Sequence, residues 1–128
     1  LGELHTLEEE LIGIGYQIVA ISPDRPEKLR ETIDTKELNY TLLSDSKMEA
    51  AIEFGIAWKL GKEILSKYED FGIDVEDASG ESHHMLPVPA VFIVGKEGSI
   101  LFQYLDPNHQ KRIKGDLLLS AAKAAISA

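Results

Sequence analysis

Two uninterrupted apolar runs constrain this chain more than any other feature. They are Ile18-Val19-Ala20-Ile21 and Ala90-Val91-Phe92-Ile93-Val94. A strand with one face in water alternates apolar and polar residues, whereas a strand covered on both faces does not. Both runs are rich in β-branched residues, which favour extended backbone. They predict strands of a sheet covered by helices, and the rest of the chain supplies the helices. Leu4, Leu7, Leu11 and Ile14 recur at helical spacing opposite Glu8, Glu9 and Glu10, with Gly13 and Gly15 as the stop. A second helix follows in "SPDRPEKLRETIDTKEL", with Asp24 as a cap and Pro26 in its first turn. Tyr40 to Asp45 reads as a short strand. Ser44 or Asp45 then caps a short helix that turns Met48, Ala51 and Ile52 inward and ends at Gly55.

The stretch after Trp58 is the least regular. Ile64, Leu65 and Tyr68 give a turn or two of helix, and residues 69–87 read as a long acidic surface loop. Beyond Ala90–Val94, "GKEG" is a hairpin turn with Gly98 at a positive φ, and Ser99 to Leu105 is a strand nearer the sheet edge. Asp106-Pro107-Asn108 breaks it. Ile113, Leu117, Leu118, Ala121, Ala125 and Ile126 then mark a closing amphipathic helix. This order predicts an α/β fold, a mixed sheet flanked by helices, in one domain over residues 1–128. Val19, Ile21, Val91, Ile93, Leu118 and Ala121 are its expected core.

Composition narrows the function. A net charge of −9 excludes a basic nucleic-acid footprint and an anionic membrane surface as partners. No run of about 18 apolar residues is present, so no segment is expected to span a bilayer. The chain has no cysteine, which excludes a disulfide framework and a thiolate nucleophile within these 128 residues.

"IVAISPDRPEKLRETIDTKELNYTLLSD", "FGIAWKL", "FGID" and "LPVPAVFIVGKEGSILFQYLDPN", in that order, resemble the peroxiredoxin-like redoxins. These form the alkyl hydroperoxide reductase / thiol-specific antioxidant group of the thioredoxin superfamily. The resemblance covers essentially the whole chain and implies a thioredoxin-like sheet. It implies a thiol peroxidase or thiol–disulfide oxidoreductase that uses no metal and no organic cofactor. The implied partners are a peroxide and a thiol reductant, and the implied compartment is the cytoplasm. It also places Val88 and Pro89 at the active-site groove, with a cis Val88–Pro89 bond whose preceding residue presents main-chain groups to a substrate.

The resemblance equally marks departures. Family members carry a strand ending in a cysteine motif just before the first helix, where the helix dipole assists thiol ionisation. Leu1 stands where that motif would have ended, so no catalytic residue carries over. The domain is therefore expected to lack its N-terminal strand. That strand would sit mid-sheet; its flanking edges are expected to close up or to exchange a strand within a homodimer, with a strand lying in a segment outside this sequence as the second choice. The arginine that polarises the peroxide is not offered by "VPAVF" either. The competing reading is a non-catalytic thioredoxin-like module that binds partners through the Pro89 groove or the 69–87 loop.

Other constellations are weaker. Adjacent His83 and His84 point apart in an extended segment and lack a spaced third ligand, so no metal site is assigned. His5, on the first helix, is a candidate neighbour of the parent's thiolate, although an exposed helix position is the simpler reading. Trp58 is a second candidate neighbour of the groove, with partly buried packing as its simpler role.

Overall fold

The computed structural model describes residues 2–35, 40–106 and 113–126. They form six helices and six strands, and the chain divides into two compact units. One unit joins residues 1–18 to residues 88–128, and the other is the continuous stretch 19–87.

In the first unit, α1 (Gly2–Gly13) packs against α6 (Gly115–Ile126), and β5 (Ala90–Val94) pairs antiparallel with β6 (Ile100–Leu105). Leu11, Ile93 and Ala122 are the buried centre, with Leu7, Ile14, Phe102, Leu118 and Ala121 packed against it. The Tyr16 hydroxyl donates to the Ala122 carbonyl at 2.7 Å and ties the end of α1 to α6. Ile93, Leu118 and Ala121 thus occupy the positions that their patterns predict. Leu117 and Ile126 instead face outward, 48% and 54% exposed, because the buried ridge of α6 runs through Leu118 and Ala122 at a four-residue step. The β5–β6 turn places Gly98 at φ 87, a conformation that side-chain-bearing residues rarely adopt. Its amide donates to Gly95 O, and the Gly95 amide donates to Ser99 O.

In the second unit, β1 (Val19–Ser22) and β2 (Thr41–Ser44) run parallel in register Val19↔Thr41 to Ser22↔Ser44, and α2 (Pro26–Thr35) packs on β2. Both strands alternate exposed and half-buried residues. The covered face carries Ala20 and Leu42, while Val19, Ile21 and Leu43 are 46%, 49% and 47% exposed. The expectation that Val19 and Ile21 are core residues therefore fails. An apolar run signals cover on both faces, but this two-stranded sheet has helical cover on one.

The expected 69–87 loop is also corrected. Three elements organise the stretch around it: α4 (Lys62–Asp70), α5 (Val75–Ser79) and β4 (Met85–Pro87). β4 pairs antiparallel with β3 (Ala57–Lys59), in register Trp58↔Leu86. α5 is set by its ends. The Asp74 carboxylate accepts from the Asp77 amide at 3.0 Å, and Gly80 closes the helix at φ 73. A Cβ on Gly80 would also stand 3.4 Å from Arg25 Cδ.

Candidate functional site

Open α/β sheets place their sites beyond the carboxyl ends of parallel strands. In this chain those ends are Ser22 on β1 and Ser44 on β2, and the loops that leave them are bound together. Ser22 Oγ accepts from the Asp24 amide at 3.1 Å, and Ser44 Oγ donates to the Asp24 carbonyl at 2.6 Å. The Asp45 amide donates to Ser22 O at 2.7 Å. Asp24, expected as a side-chain cap of α2, enters these bonds through its main chain. Both serine hydroxyls are spent on backbone, so neither is poised as a nucleophile.

Asp45 caps α3 (Glu49–Glu53). Its two carboxylate oxygens accept from the Ala50 and Ala51 amides at 3.0 and 2.9 Å. The cap acts across a bend in which Met48, fully buried, adopts a left-handed φ of 63. Asp45→Ala is expected to lower stability by about 1–2 kcal/mol through loss of this cap, measured in denaturant melts. Asp45→Asn should recover part of the loss, because its amide oxygen still accepts.

The carboxyl-end loops are held from the far side by the 75–84 segment. The Arg25 amide donates to Ala78 O at 2.7 Å, and Asp77 meets Arg25 Nη2 at 3.3 Å and Lys28 Nζ at 3.2 Å. These ion pairs are well exposed, so the backbone bond and the burial of Val75 and Ser79 do more of the holding. His83 Nε2 donates to Ser46 O at 2.7 Å, and its Nδ1 accepts from the Met85 amide at 3.0 Å. The carbonyl partner assigns the hydrogen to Nε2, and both ring nitrogens are thereby used. His84 Nε2 faces Glu76 Oε1. The two histidines point to different partners, but not through the extended backbone expected of them, since His84 is left-handed at φ 54.

The remaining candidate residues lie on other elements. Trp58 lies on β3, 36% exposed, opposite Leu86. Val88 and Pro89 are half-buried and lead from β4 into β5. The expected cis Val88–Pro89 bond is not found, since every described peptide bond is trans. Pro89 stands just outside the β5 ladder, where its missing N–H costs nothing, and its carbonyl accepts from the Asp106 amide at 3.1 Å. Both demands are met by the trans form, the default for a peptide bond. His5 falls within α1, but its side chain lies outside the described residues, as do Pro107 and Asn108.

Sequence reasoning passed over Arg25 and His83 as organisers of this region. The signal for Arg25 was its place between the β1 end and Pro26. His83 gave none, because its partner Ser46 lies 37 residues away.

Across residues 1–103 the chain matches the AhpC/TSA family. The chain belongs to that family. The AhpC/TSA assignment spans both parallel strands, their carboxyl-end loops, the acidic segment and β5. It agrees with the mixed α/β architecture, which is thioredoxin-like in class. The chain is 45% identical over 53 residues to the putative peroxiredoxin bcp of Haemophilus influenzae, covering 41% of this chain and 34% of that protein. It is 35% identical over 81 residues to peroxiredoxin Bcp of Escherichia coli K12, covering 60% of this chain and 50% of that protein. The matched stretch thus spans a third to a half of these relatives' length. No helix among the described residues is long and apolar enough to cross a membrane.

Proposed function

We propose that this AhpC/TSA chain is the scaffold of a peroxiredoxin-like thiol peroxidase whose reacting cysteine lies outside these 128 residues. Family membership over residues 1–103, combined with the absence of cysteine, carries this reading. In such chemistry a thiolate sulfur attacks one peroxide oxygen and the O–O bond breaks. The sulfur is oxidised to a sulfenic acid, and the departing oxygen takes a proton to leave as water or an alcohol. Two equivalents of a thiol reductant then restore the thiol by exchange through a disulfide. The present chain supplies the carboxyl-end loops around Ser22 and Ser44, but no electron donor for the first step.

The purified 128-residue chain should therefore show no peroxide turnover above buffer in a thioredoxin-coupled assay with hydrogen peroxide. Turnover well above buffer would overturn the proposal. The coding sequence upstream of Leu1 provides a second check. A strand-forming run ending in cysteine is the expected result, and a start codon directly before Leu1 contradicts it.

A further inference from the structure

Negative charge is unevenly spread along the chain. Residues 62–81 hold two lysines against seven carboxylates, more than half of the chain's net −9. The same stretch carries the most exposed large apolar side chain among the described residues, Phe71. None of the residues of α4 is buried, although Ile64, Leu65 and Tyr68 cluster on one side of the helix. Just past its end Phe71 is 79% exposed and Ile73 49%. An open groove of about 500 Å³ lies here, with Leu65, Ile73 and Val75 as its apolar lining and Glu69, Asp74 and Glu76 as its acidic lining. Among the described residues no lysine or arginine lines it, and His84 completes the lining beside Glu76. Asp74 is engaged in capping α5 and Glu76 faces His84, while the Glu69 carboxylate has no partner among the described residues.

We propose that this groove, extended by Phe71, docks a basic amphipathic segment of another protein, in which lysine or arginine flanks a bulky apolar side chain. The proposal goes beyond the peroxidase reading and does not depend on thiol chemistry. Charge selects the occupant. A second copy of the chain brings the same negative field to this face and is repelled, as are nucleic acids and anionic membranes. A small cation alone would satisfy Glu69 but leave Phe71 in water. A basic segment with an apolar anchor meets both features: its cation is steered to the acidic lining and its anchor is buried against Leu65, Ile73 and Phe71.

The test is fluorescence anisotropy on the full 128-residue chain. The probe is a labelled peptide that alternates lysine and leucine around a central phenylalanine, and its control carries serine in place of lysine. The lysine peptide should bind and should weaken as salt rises. Glu69→Lys and Phe71→Ser should each weaken binding about fivefold or more, as loss of a central contact does. Glu97→Lys makes the same charge change in the β5–β6 turn, at a residue outside the groove's lining, and should alter binding by less than about twofold. Circular dichroism of Phe71→Ser should match the parent, since this side chain is mostly in water. Equal weakening by Glu97→Lys and Glu69→Lys would reduce the effect to net charge and overturn the site. Equal binding of the serine peptide would overturn the basic chemistry of the partner. Absence of lysine-peptide binding would overturn the proposal as a whole.

Discussion

Ile93→Ala is expected to destabilise the unit built from the two chain ends by about 2–5 kcal/mol, the range for removing buried branched side chains. Ile93 is 6% exposed at the centre of the cluster that joins β5 to α1 and α6. Its lost methyl groups leave a cavity that Leu11 and Ala122 cannot both fill, because each is fixed by its own helix. Whole domains hold only about 5–15 kcal/mol, so the variant should melt at markedly lower denaturant. Ile21→Ala removes the same atoms from a side chain that is 49% exposed and should cost less than about 1 kcal/mol. Parallel urea melts of the two variants provide the measurement. Equal losses would show that Ile21 is covered in solution.

The second large effect is expected at Met48. It is the largest fully buried side chain among the described residues, and it sits at φ 63 before α3. Met48→Ala should cost about 2–5 kcal/mol through the cavity left behind, whereas Met48→Leu, which conserves volume, should cost less than about 1.5 kcal/mol. Glycine distinguishes packing from backbone. At ordinary helix positions glycine is worse than alanine by roughly 0.5–1 kcal/mol, but a left-handed conformation costs a residue with a Cβ about 1–2 kcal/mol that glycine avoids. Met48→Gly should therefore be no less stable than Met48→Ala. If glycine proves clearly worse, the left-handed turn is not retained in solution.

Several features were legible because they are local. The leucine spacing of α1, the apolar run of β5 and the glycine of its turn each follow from neighbouring residues. Ile93 could be placed in the core for the same reason. Val19 and Ile21 carry the same signal but are exposed, because cover on a strand's second face depends on partners that the run does not encode. β3 and β4 hold three residues each, too few for a period to show. α5 is announced only by its capping Asp74 and closing Gly80, a pattern that a long polar segment conceals. At the candidate site, the role of Asp45 follows from a rule about helix starts. The bonds of Arg25 and His83 join residues far apart in sequence, and no local pattern reports them.

The division of the chain has a consequence for its synthesis. The unit formed by residues 19–87 is continuous, so all of it can leave the ribosome and fold while the C-terminal third is still being made. The other unit has to wait. α1 emerges before that unit, yet its packing partner α6 emerges after it, and the Tyr16–Ala122 hydrogen bond spans 106 residues of chain. Until α6 appears, Leu7, Leu11 and Ile14 form an apolar helix face without its mate, and closing so long a loop is the kind of step that slows folding. Nascent chains stalled before Gly115 should therefore show a protease-resistant 19–87 fragment beside a cleavable α1, with α1 becoming protected only when α6 is released.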